Sequence, residues 1–169
     1  VSPAGGNFDE PVTQATLKVV GGFHGLSRAR SDARRYPAID PLESWSKYRS
    51  VIENDRVERL RSILCQGNDI NQMMKVVGEE GTAISDFMKY LKGEFRDSVY
   101  LQQNAFSDVD AATSEERQKI MFEIVEKVML AEYPFTEKAD ARAFFQKMVQ
   151  VCIDWNNTAM ESPEFEKIR

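Results

Sequence analysis

From residue 57 onward the apolar positions recur at helical spacing. Val57, Leu60, Ile63 and Leu64 form one stripe, which Gly67 is expected to close. Asn68 is placed to cap a short helix over residues 69–77, and Gly78 to stop it. Ile84, Phe87, Met88, Leu91 and Phe95 follow an i, i+3, i+4, i+7 pattern. Gly93 interrupts this face at a cost of about 1 kcal/mol against alanine. Thr113-x-x-Glu116 reads as a capping box that opens a helix carrying Ile120, Ile124, Val128 and Ala131, closed by Pro134. Thr136 is expected to cap the last long helix, with Phe144, Phe145, Met148, Cys152 and Trp155 inward, and Pro163 to end or restart it. Leu42, Trp45 and Tyr48, three apart, predict that helix begins as early as residue 42.

The first forty residues differ. Residues 2–7 are loop chemistry (Ser, Pro, Ala, Gly, Gly, Asn), and Pro11 breaks what precedes it. Residues 16–20, Thr-Leu-Lys-Val-Val, form a β-branched run that predicts a strand, ended by Gly21-Gly22. A lone strand leaves its backbone groups unpaired, so this reading implies a missing sheet. Residues 26–34 have helical composition, with Ser27 as the cap. The fold class expected is therefore mainly α, a helical bundle (residues 41–169) after a small αβ remnant (residues 1–40).

Composition narrows the functions. The net charge of −5 disfavours nucleic acid as a partner, since that needs a basic face. No apolar run is long enough to span a bilayer. The chain opens on Val1 rather than methionine, which suggests a cut fragment. Cys65 and Cys152 lie in apolar helical patterns and read as buried, reduced thiols. His24, the one histidine, lies among apolar neighbours and reads as structural. No Cys/His cluster suggests zinc, no G-x-S-x-G a nucleophile elbow, and no G-x-x-x-x-G-K-S/T a phosphate cradle. The acidic pairs Glu79-Glu80 and Glu115-Glu116 complement helix N-termini.

Two stretches carry candidate chemistry. In Arg35-Tyr36-Pro37-Ala38-Ile39-Asp40-Pro41, two prolines stiffen the backbone and present Tyr36 on a rigid segment. Such a ring is suited to lie against a flat group such as a nucleotide base; it would equally serve as a packing residue where two elements meet. In Tyr100-Leu101-Gln102-Gln103-Asn104-Ala105-Phe106, two aromatics flank a polar run at a helix end, and core packing would account for them too.

These segments resemble the catalytic subunits of rotary ATPases. Residues 36–44 are similar to Tyr-Pro-Ala-Val-Asp-Pro-Leu-Asp-Ser of that family, and residues 100–106 to Phe-Leu-Gln-Gln-Asn-Ala-Phe of its V/A-type branch. Ser2-Pro3-Ala4-Gly5-Gly6-Asn7-Phe8, Gly22-Phe23-His24-Gly25-Leu26, Arg34-Arg35-Tyr36-Pro37 and Ser44-Trp45-Ser46-Lys47-Tyr48 match in order. His24 departs from the family's tryptophan, and Ala4 and Asn7 from its proline and aspartate. Residues 76–81 fall where the family turns between two helices and touches the rotor, but Gly81, Thr82 and Ala83 dilute its acidic turn.

The resemblance implies the C-terminal part of the catalytic, or alpha, subunit of a prokaryotic V/A-type ATPase or ATP synthase. The whole subunit would use ATP or ADP with magnesium and couple turnover to proton or sodium transport. Its partners would be the non-catalytic B subunits and the central rotor stalk, on the cytoplasmic face of the membrane. Tyr36, Tyr100 and Phe106 would form one wall of the adenine pocket. No catalytic or metal-binding residue would lie in this fragment, which alone should neither hydrolyse ATP nor bind it tightly. The competing reading is a free-standing helical interaction module with an apolar groove.

Overall fold

A computed structural model describes residues 9–48, 50–160, 162, 163 and 165. The loop expected at residues 2–7 lies outside them.

Proline opens the first element. Pro11 occupies the first turn of α1 (Pro11–Val19), where its missing N–H is not needed. The strand expected at residues 16–20 is thus helical as far as Val19. Gln14, Ala15, Leu17 and Lys18 are adequate helix formers, and the Thr16 hydroxyl donates back to the Val12 carbonyl at 2.8 Å.

The short strands lie elsewhere. β1 (Gly22–Phe23) pairs antiparallel with β2 (Trp45–Ser46), Gly22 opposite Ser46 and Phe23 opposite Trp45. A bridge between Leu26 and Ile39 continues the ribbon, with Ser27 N–H donating to Ala38 and Asp40 N–H to Gly25. The helix expected from residue 42 is therefore absent. The Asp40 carboxylate accepts from the N–H groups of Leu42 (2.8 Å) and Glu43 (3.2 Å), which turns the chain there into β2. Between the strands, Ser27 caps α2 (Arg28–Asp32) as its sequence predicts.

The helical part begins with α3 (Asn54–Val77), 24 residues without a break. The stop expected at Gly67 and restart at Asn68 do not occur. Gly67 is buried against α4 (Ile84–Arg96), and a Cβ there would lie 3.1 Å from the Lys89 carbonyl oxygen and 3.6 Å from Gly93 Cα. Glycine serves close helix approach at this position, not termination. The true stop is Gly78, whose φ of 79° suits a residue without Cβ.

α4 runs on as a π-helical segment, Asp97–Leu101. α5 (Glu115–Leu130) is capped by Ser114, whose hydroxyl accepts from Arg117 N–H at 3.3 Å. Thr113, one residue early, instead donates to the Asp110 carbonyl, so the cap is displaced from the expected box. α6 (Lys138–Asn157) follows Glu137 with no side-chain cap, and Thr136 does not serve as one. Tertiary ion pairing holds that end: Arg142 meets Glu79 at 2.5 Å, and Lys138 donates to the Glu79 carbonyl.

The core forms where α3, α4, α5 and α6 meet. Leu60, Phe87, Phe95, Val99, Phe122, Val125 and Met129 are fully buried. Phe144 and Phe145 join Tyr133 and Phe135 in an aromatic cluster with ring separations of 5.3–6.2 Å. Arg117, almost fully buried, donates to the carbonyls of Trp155, Asn156 and Thr158 and lies 4.7 Å over the Trp155 ring. One guanidinium thereby joins the Thr158 N–H and hydroxyl in satisfying the carbonyls at the end of α6. Both cysteines are free, Cys152 buried and Cys65 partly so. The architecture is mainly helical after a small αβ piece, as the pattern of the sequence predicts.

Candidate functional site

Tyr36 and Phe106 come together. A cleft of about 750 Å³ is lined by both, with Arg34, Gln103, Asn156 and Asn157 among the polar groups around it. Local chemistry explains each wall. On one side, α2 and the proline segment carry Tyr36, whose hydroxyl sits 3.4 Å from Ser31 Oγ. The Tyr36–Pro37 peptide is cis and Arg34 takes a φ of 56°. On the other side, the backbone leaves the π-helical segment at Gln102. Asn104 accepts from Phe106 N–H at 3.1 Å, an Asx turn that swings the ring outward. Asp110 braces this loop: its carboxylate accepts from Asn104 N–H and its carbonyl from the Gln103 amide, each at 2.6 Å. A single backbone bond ties the walls, Gln103 N–H donating to the Tyr36 carbonyl at 2.8 Å.

The two rings are open to a ligand to different degrees. Tyr36 is 51% exposed and Phe106 is 99% exposed. Core packing therefore does not account for Phe106. It does account for Tyr100, whose ring meets Phe122 edge-on at 5.8 Å. Tyr100 lines a separate, smaller cavity of about 240 Å³ beside Pro37, Arg117 and Trp155. Burial raises its phenol pKa, with Arg96 opposing. His24 follows β1 and is exposed.

A charged cluster lines a different cavity of about 490 Å³. Asp97, at the start of the π-helical segment, accepts from Arg30 and Arg35, and Arg35 also meets Glu94 at 2.7 Å. Desolvation and then the neighbouring Arg35 lower the Arg30 pKa. Asp97, Asp110 and Asn156 carry no signal in the sequence. Asp97 and Asp110 lie in helical or loop composition with no local motif, and Asn156 contributes by donating to the Val99 carbonyl at 2.8 Å. Among the described residues, no group of three or more His, Cys, Asp or Glu side chains could hold a metal ion. No helix among them is long and apolar enough to cross a membrane.

Comparison with known proteins gives the geometry its context. The family model described as "ATP synthase alpha/beta family, nucleotide-binding domain" matches residues 1–46. That described as "C-terminal domain of V and A type ATP synthase" matches residues 54–140. The V-type ATP synthase alpha chain of Borrelia garinii subsp. bavariensis is 58% identical over 168 residues. Those of Borrelia turicatae and Borreliella afzelii are each 56% identical over the same length. Each alignment covers 99% of this chain and 29% of the relative, so the chain spans less than a third of these relatives. The fold resembles that of an ATP synthase subunit, NeqB, from Nanoarcheaum equitans, with a TM-score of 0.59 and 18% identity, covering 76% of this chain and 33% of the other. A free-standing interaction module is not favoured by matches that continue through both parts of the chain. The chain belongs to the V and A type ATP synthase family and corresponds to the C-terminal part of its alpha chain.

Proposed function

We propose that this chain supplies one wall of the adenine site in the catalytic subunit of a V/A-type rotary ATPase or ATP synthase. Residues 1–40 would close the nucleotide-binding domain and residues 41–169 form the C-terminal helical domain, with β2 tied to the first part by its pairing. The observation that carries the reading is the cleft itself: Tyr36 and Phe106, seventy positions apart in sequence, line one opening with their rings exposed. A base between them would be held by stacking and burial, which supply affinity and not bond-making chemistry. Tyr100 would serve from beneath, packed on Phe122 at the root of the Gln102–Phe106 wall.

The phosphates and magnesium of ATP or ADP would be held by residues outside this chain, which has no phosphate-cradle motif. ATP turnover coupled to proton or sodium transport would then belong to the whole subunit in its assembly. Its partners there would be the non-catalytic B subunits and the central rotor stalk, on the cytoplasmic face of the membrane. The isolated chain would neither hydrolyse ATP nor bind it tightly.

The test uses the full-length subunit. Tyr36→Ala should weaken magnesium-ATP binding by roughly 5- to 150-fold, equivalent to a lost base stack of about 1–3 kcal/mol. Tyr36→Phe should change little, because the flat face is kept. Phe106→Ala should act like Tyr36→Ala, and the pair should be non-additive if they share one base. Unchanged affinity with a lowered thermal midpoint for both alanine variants would refute the assignment.

A further inference from the structure

We propose that Asp97 is a positioning residue that fixes the spacing between the two walls of the Tyr36–Phe106 cleft. The inference rests on the adenine-site reading above and adds to it the group that sets the geometry. Asp97 belongs to the Phe106 wall by covalent connection: it begins the π-helical segment that leads through Leu101 into the Gln102–Phe106 loop. It belongs to the Tyr36 wall by charge. One carboxylate oxygen accepts from Arg30 in α2, and the other from Arg35, the residue before Tyr36.

The arrangement has little slack. The Asp97 side chain is 6% exposed and that of Arg30 is 12% exposed. Arg30 Nε and Nη2 are buried without an acceptor, so its guanidinium depends on Asp97. Arg35 has a second hold on Glu94, one turn earlier in α4. α2 in turn carries Ser31, which sits against the Tyr36 hydroxyl, and the Tyr36 carbonyl accepts from Gln103 N–H. The two hydrogen bonds of Tyr36 thus run to α2 and to the loop that follows the segment Asp97 begins. A carboxylate bridging two guanidiniums out of water is a stiff joint, because separating the charges there strands them in a poorly solvated site. The π-helical geometry helps: it shifts the register of the last turn relative to α4, and such segments recur at functional sites.

The consequence is selective. If Asp97 sets the cleft, loosening it should harm recognition of the base and spare recognition of phosphate, which this chain does not provide. The experiment measures dissociation constants of the full-length subunit for magnesium-ATP and for magnesium-tripolyphosphate, with thermal midpoints on the same samples. Asp97→Asn should weaken ATP binding about five-fold or more, the lower end of a lost base stack, and leave tripolyphosphate binding within about two-fold. Arg35→Gln keeps the Arg30–Asp97 pair and is partly exposed, so it decides the matter if Asp97→Asn fails to fold; it should show the same selectivity more weakly. Equal losses for both ligands would overturn the proposal, as would an unchanged ATP affinity in Asp97→Asn, or in Arg35→Gln where Asp97→Asn does not fold, while Tyr36→Ala binds weakly. If Tyr36→Ala also binds ATP normally, the adenine-site reading itself falls and the positioning role with it.

Discussion

Two glycines that face each other allow a sharp test of how α3 and α4 pack. Gly67→Ala and Gly93→Ala make the same chemical change in the interior of a helix. Each should gain about 1 kcal/mol from helix propensity. Their surroundings differ. A Cβ on Gly93 would lie 3.7 Å from Gly67 Cα and 3.9 Å from Leu64 Cδ1, ordinary contact distances. Burial of that methyl adds about 0.8 kcal/mol, so Gly93→Ala should stabilise by about 1–2 kcal/mol. A Cβ on Gly67 would meet the Lys89 carbonyl oxygen at 3.1 Å and Tyr90 Cα at 3.7 Å. These are backbone atoms, so α3 and α4 must move apart by a few tenths of an ångström. Such overpacking costs about 1–3 kcal/mol, which offsets or exceeds the propensity gain. Gly67→Ala should therefore be neutral to about 2 kcal/mol destabilising, and at least about 1 kcal/mol less stable than Gly93→Ala. For a chain of this size that separation is about 2–4 °C or more in thermal midpoint. Circular dichroism at 222 nm with thermal and urea unfolding reads it directly. The double variant should be worse than the sum, because the two methyls would compete for one gap. A Gly67→Ala midpoint at or above that of Gly93→Ala would refute the close-approach argument.

Arg117→Met should cost about 2 kcal/mol or more in urea unfolding, since the Asn156 and Thr158 carbonyls lose their donor while Trp155 keeps the Thr158 N–H; Arg117→Lys should recover only part, and full recovery would show that charge alone suffices. Burial pushes the Cys152 thiol from 9.0 up to about 11, and also raises the phenols of Tyr90, Tyr100 and Tyr133. The unfolded chain ionises these groups first, so stability is full below pH 9, falls for the thiol between pH 9 and about 11, and falls for the phenols once pH passes 10; a thermal midpoint flat from pH 8 to 10.5 would contradict this. Under native conditions at pH 8, Cys65 should alkylate faster than Cys152, read by peptide mass spectrometry; equal rates would mean that α6 opens readily. The Arg56 hydrogen bonds hold the Glu126 carboxyl below its ordinary range. That stabilisation is present above pH 4.5 and lost as pH falls through the lowered value, so Glu126→Gln should flatten the acid limb of a stability–pH curve.

Helix was legible from periodicity wherever an apolar stripe faces one core. The stripes through Phe87, Leu91 and Phe95, and through Phe144, Phe145 and Trp155, need only 3.6-residue spacing and a place to bury, so α4 and α6 follow from the sequence. The mainly α fold class, the Ser27 cap and the stop at Gly78 are equally local. Gly67 was not legible, because a glycine that ends a helix and one that admits a neighbouring backbone look alike until the neighbour, Gly93, is in place. Nor was the identity of the strands: Trp45 and Ser46 are extended because Gly22 and Phe23 pair with them, and the valines at 19 and 20, better β formers, have no such partner. The aromatics at 36, 100 and 106 were visible as candidates, but only the tertiary structure separates Tyr100, packed on Phe122, from Phe106, left exposed at the rim of the cleft after the Asn104 turn. Asp97 was invisible for the strongest reason: its partners lie 62 and 67 positions away, and a carboxylate within helical composition looks like a solvated surface until the fold buries it between two arginines.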